Sequence, residues 1–161
     1  STHNPTPTMS FTPLVLRTLA PHVWTLDEDF AVELPWRPAS EVILAWRALG
    51  LVVEGPTGGT RITIERGFPT DLASSPRLLW WFCSPVDVAM PAVVHDKMYV
   101  LLDKASARID PVARAHRRRE ADHVFWLAML EQPGGWYPRA LLAWCCVRIA
   151  GWWFVRPRTA S

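Results

Sequence analysis

Hydrophobic positions change period along the chain, and the change marks out its parts. His22 to Leu26 and Phe30 to Leu34 read as short β-strands, separated by the turn-like Asp27-Glu28-Asp29. Ser40 is placed to cap a helix over Glu41 to Leu49, with Gly50 as its stop. Leu51 to Glu54 and Arg61 to Glu65 then flank Gly55-Pro56-Thr57-Gly58-Gly59. Ile62 and Ile64 alternate with polar neighbours, the period of a half-buried strand, so this segment predicts a hairpin. Beyond it the period lengthens. Gly67 to Pro76 reads as a loop whose end starts a short helix through Trp80, Trp81 and Phe82, with Ser75 as N-cap and Pro76 in the first helical position. Three longer helices follow over Val88 to Leu102, Val112 to Glu131 and Tyr137 to Val155. Pro111 opens the second and Pro133-Gly134-Gly135 ends it. Strands first and helices afterwards predict an α+β fold, with N-terminal antiparallel strands, a short helix and three longer packed helices. Residues 1–13, rich in Pro, Thr, Asn and Ser, read as a flexible arm ahead of one globular domain over 14–161.

Composition narrows the picture. With 161 residues, half of them apolar and a fifth charged, the chain has enough material for a core. Ten tryptophans are many for this length, and most belong in that core; a surface cluster among Trp36, Trp80, Trp81, Trp136, Trp152 and Trp153 would mark contact with another copy or another protein. A net charge of +2 argues against nucleic acid, and Arg117-Arg118-Arg119, followed at once by Glu120 and Asp122, reads as a solvated helix face. Cysteines at 83, 145 and 146 make neither a disulfide framework nor a zinc spacing. The most apolar stretch, Ala140 to Val155, carries Arg148 and is shorter than a spanning helix, which disfavours an integral membrane protein and leaves peripheral contact open. The first ten residues lack the basic and apolar regions of a signal peptide, so secretion by that route is not expected.

Candidate chemistry lies on the first two long helices. His95 and Asp96 are set among Val93, Val94, Met98, Val100 and Leu101, so their helix is apolar on most sides. An ionised aspartate there must be paired, metal-bound or in a wet cleft, because an unpaired buried charge is very costly. Asp122 repeats the anomaly on a face shared with Phe125, Trp126 and Met129. The short connection from Asp103 to Pro111 predicts antiparallel packing, which lets His95 and Asp122 meet. Such pairing holds one imidazole tautomer, raises its basicity and leaves the other nitrogen for water or substrate. Asp96 is then a candidate ligand for a hard cation, helped by Asp71 from the loop. The bland alternatives are an Asp122–Arg118 pair at i, i+4 and a structural polar network with Arg148 as counter-ion. Ser74 and Ser75 fit turn or cap roles, since no GxSxG elbow surrounds either.

The strings Gly67-Phe68-Pro69-Thr70-Asp71-Leu72-Ala73-Ser74-Ser75-Pro76-Arg77, Ala92-Val93-Val94-His95-Asp96-Lys97-Met98-Tyr99 and Ala121-Asp122-His123-Val124-Phe125 resemble, in order, a phage and prophage family called domain of unknown function 1353. The likeness covers about residues 50 to 155. It implies a phage or prophage origin, hence host cytoplasm or virion, and it carries no activity. The pair of helices is also similar, at a distance, to that of secreted phospholipases A₂. This second likeness implies His95 as general base, Asp122 as its orienting carboxylate, Tyr99 as support and Asp96 as a calcium ligand. The flanking cysteines of those enzymes and their glycine-rich calcium loop have no counterpart here.

Three functions follow as expectations: a metal-assisted hydrolase of lipid or cell-envelope esters or amides, a non-catalytic virion or assembly component built around a buried polar cluster, and a tryptophan-rich host-interaction module. His95 and Asp122 facing solvent in an open pocket favours the enzyme. A dry network closed by Arg148 favours structure.

Overall fold

The structure, a computed structural model, describes residues 9–20, 23–54, 60–70, 85–131, 138, 141–145 and 148. The chain divides into two compact units, residues 1–69 and 70–161. Strands and the short helix precede the longer helices, so the fold is α+β.

In the first unit, β1 (Ser10–Phe11), β4 (Phe30–Leu34), β6 (Thr60–Ile64) and β5 (Val52–Glu54) form one antiparallel sheet in that order, while β2 (Leu16–Ala20) and β3 (Val23–Leu26) pair in another that ends at β7 (Pro69–Thr70), the strand at which the first unit gives way to the second. The hairpin read from the alternation of Ile62 and Ile64 is β5–β6, with Val53 opposite Ile62. Ile62 and Ile64 are buried, while the alternate positions Arg61 and Thr63 are not. The two earlier strands, adjacent in sequence, belong to different sheets: β3 pairs with β2, and β4 lies between β1 and β6. β4 is apolar at four of its five positions because it is an inner strand. Of the stretch read as an arm, Met9 is buried and Ser10–Phe11 pair with Glu33 and Val32. Met9 and Phe11 supply the apolar side chains of this stretch.

The short helix α1 covers Ser40–Ala48. Its N-cap is Ala39, with no side-chain cap, so Ser40 is one residue inside the helix rather than capping it. At its other end Gly50 has φ +96°, and the N–H groups of Gly50 and Leu51 bond the carbonyls of Arg47 and Trp46 at 2.9 and 3.0 Å. That is the paired C-terminal closure that needs a left-handed residue.

In the second unit, α2 spans Pro85–Lys104, beginning three residues before the expected Val88, and α3 spans Pro111–Glu131. Both open on proline, where the missing N–H is not needed. Asp110 caps α3 by accepting from the N–H groups of Val112 and Ala113 at 2.9 and 3.1 Å. Val88, near the start of α2, clusters with Phe125 and Met129 late in α3, whereas Tyr99 bonds Asp122. The helices therefore run antiparallel. Residues 138, 141–145 and 148 are helical, and Ala143 joins the same cluster. Among the described residues no helix is long and apolar enough to cross a membrane. The helix expected at 76–82 and the full extent of the one at 137–155 lie outside the described residues, as do Asp71, Ser74, Ser75, Cys83, Cys146 and the tryptophans at 80, 81, 136, 152 and 153. Trp36 is half-buried.

Candidate functional site

His95 and Tyr99 are one turn apart on α2, which brings their rings together with centroids 4.2 Å apart and planes tilted by 35°. Phe125 of α3 closes on the imidazole at 5.3 Å. The carboxylate of Asp122 on α3 is buried beside them, 2% exposed. Its Oδ1 is 3.1 Å from His95 Nε2 and accepts the Tyr99 hydroxyl at 2.7 Å, while its Oδ2 accepts Arg148 Nη1 at 3.3 Å. A buried carboxylate needs such donors to offset lost hydration. Facing an ionised acceptor, Nε2 must carry the proton, which leaves Nδ1 as the basic nitrogen.

Asp96 is on the other side of the ring, with Oδ1 4.0 Å from His95 Nδ1. At that distance it is an ionic neighbour rather than a hydrogen-bond partner. Its Oδ2 accepts the hydroxyl of Thr70 at 2.9 Å. His95, Asp96, Tyr99 and Asp122 thus converge, and Asp71 lies outside the described residues. Thr70, a donor that the reading of the motifs missed, immediately precedes Asp71 in the loop string; that adjacency was its only signal.

Charge follows the contacts. Burial disfavours the imidazolium of His95, yet the hydrogen bond it donates to Asp122 and the charges of Asp96 and Asp122 outweigh it and raise the pKa above 6.5. Burial likewise works against the Asp122 carboxylate, but bonds from His95 and Tyr99, with the charges of His95 and Arg148, hold it below its usual range. Burial and the Asp122 charge push the Tyr99 phenol upward, so Tyr99 is a permanent donor. Arg118, the alternative neighbour for Asp122, interacts with Tyr99. In the rest of the basic run, Arg117 and His116 both pair with Glu120, at 2.6 and 3.3 Å; His116 is exposed, but Arg117 and Glu120 are largely buried, so the run is only partly the solvated face that was expected.

Arg148 extends from this network toward solvent. Its side chain is 39% exposed, and its guanidinium lies 5.3 Å from the centroid of Trp144. Near-complete burial of His95 and Asp122, with Arg148 on the second oxygen, is the arrangement expected of a structural network and not the solvent-facing pair expected of an enzyme; for a base, the relevant feature is the Nδ1 side of the ring, where Asp96 is 31% exposed. Among the described residues no three His, Cys, Asp or Glu side chains come together as a metal-ligand set. Asp96, with one oxygen tied to Thr70, does not make a cation site by itself.

A family model described as "Protein of unknown function (DUF1353)" matches residues 48–147, which include every residue of the site except Arg148. No curated protein and no solved structure matches the chain.

Proposed function

The chain belongs to the DUF1353 family of proteins of unknown function, and we propose that it is a small hydrolase in which His95 acts as general base. The observation that supports this reading is the hydrogen-bonded row Tyr99–Asp122–His95, which fixes one tautomer and leaves Nδ1 for chemistry. In the proposed step, Nδ1 takes a proton from water as the water oxygen bonds the carbonyl carbon of an ester or amide. The imidazolium so formed is stabilised by Asp122 through Nε2–H, and the proton then passes to the departing alkoxide or amine. Tyr99 steadies the carboxylate throughout. A base with a raised pKa is stronger but works only once deprotonated, so activity rises with pH through a midpoint above 6.5.

Lipid or cell-envelope esters and amides are the proposed substrates, and a phage or prophage setting, in host cytoplasm or virion, the proposed context. Calcium remains the first proposed cation, on Asp96 with Asp71. The step above does not depend on it.

The Arg148–Asp122 contact favours a second reading, in which these side chains are a buried staple of a virion or assembly component. In that case tryptophan-lined faces would meet other phage proteins, further copies or a host partner.

His95→Asn separates the two. The test is to screen wild type and variant against ester and amide panels, each with calcium, with magnesium, with zinc and with a chelator, and to melt every sample. A base predicts hydrolysis lost with folding nearly intact, and a bound cation raises the melting temperature. Unfolding with no hydrolysis in either protein would overturn the catalytic reading in favour of the staple.

A further inference from the structure

Thr70 is 3% exposed, and its hydroxyl is committed to Asp96 Oδ2 at 2.9 Å. That bond decides where the other oxygen points: Asp96 Oδ1 faces His95 Nδ1 across 4.0 Å. The separation is too long for a direct hydrogen bond and suits one water donating to both atoms. The Asp96 side chain is 31% exposed, so without its tether the carboxylate would gain hydration by turning outward.

Resting on the general-base reading, we propose that Thr70 is a positioning residue: it turns Asp96 so that His95 Nδ1 and Asp96 Oδ1 together seat a single water, the molecule the base deprotonates. One water hydrogen points to Nδ1 and the other to Oδ1, which directs the oxygen lone pairs away from both and toward an incoming carbonyl carbon. When the O–C bond forms, the proton on the Nδ1 side moves to the imidazole. The second hydrogen stays on oxygen, held by Asp96. Asp96 then has a part in the reaction without any cation.

The test is a set of crystal structures of the full chain at a resolution that shows ordered water, for wild type, Thr70→Val and Thr70→Ser, with melting curves for each. Wild type and Thr70→Ser are expected to show a water within about 2.7–3.2 Å of both atoms. Thr70→Val is expected to lose it, with Asp96 rotated. A bridging water that survives in Thr70→Val, even with a lowered melting temperature, overturns the positioning role and leaves Thr70 a merely structural residue. Wild type without that water overturns the seat itself, and remains decisive if Thr70→Val does not fold. The general-base reading fails separately, when His95→Asn leaves hydrolysis unchanged, so the two failures are distinguishable.

Discussion

Replacing Asp122 by Asn exchanges one carboxylate oxygen for an amide group and removes the charge, with almost no change of shape. The wild-type carboxylate accepts from His95 at 3.1 Å, Tyr99 at 2.7 Å and Arg148 at 3.3 Å. A hydrogen bond to a charged group contributes about 1.5–3 kcal/mol. The Arg148 arm is 39% exposed and is discounted to below about 1 kcal/mol. An amide can still accept on one side, but its NH₂ must then face a donor, and the His95 cation loses its partner. The expected loss is about 3–5 kcal/mol, within the range for breaking a buried pair by removing one member. At this chain length that is roughly 10–15 °C in melting temperature. Urea unfolding of both proteins, followed by far-ultraviolet circular dichroism, measures it. A loss under about 1 kcal/mol would show that the carboxylate is not held as the distances indicate.

The pH dependence of stability follows from the same group. His95 has a folded pKa above 6.5, so its contribution is complete below 6.5 and is lost as pH rises through the folded value. Asp122 has a folded pKa below 3.8, so its contribution is present above 3.8 and is lost as pH falls through the folded value. Stability measured by unfolding across pH should decline on both sides of that window, and Asp122→Asn should flatten both limbs; limbs unchanged in the variant would refute the assignment. Arg148→Met should cost no more than about 1 kcal/mol, because its ion pair is partly solvated. A cost matching that of Asp122→Asn would mean that Arg148 closes the network, and would favour the staple.

What could be read in advance depended on how local the cause was. The β5–β6 hairpin was legible because Ile62 and Ile64 alternate beside a glycine-rich turn, and both are buried as that period requires. Separation of β3 from β4 was not legible. Partner choice in a sheet rests on contacts distant in sequence, here β4 with Thr60–Ile64. His95 and Asp122 were legible together because each is a polar group in an apolar helix and needs a partner, and a short connection brings the helices face to face. Thr70 was not: its segment reads as a loop, whose hydroxyls have many nearby partners, whereas Thr70 lies in β7 and its bond reaches 26 residues along the chain. Ser40 misled for a related reason: helix starts shift by one residue easily, and Ala39 has the extended backbone, ψ 146°, that a cap residue needs.

Nitrogen-15 spectra of histidine-labelled protein, recorded above the pH at which His95 titrates, report which ring nitrogen holds the proton. The account predicts Nε2 protonated and bonded to Asp122, with Nδ1 bare. A spectrum showing the proton on Nδ1 would contradict it, because the imidazole would then have no basic atom facing Asp96 and no donor for Asp122.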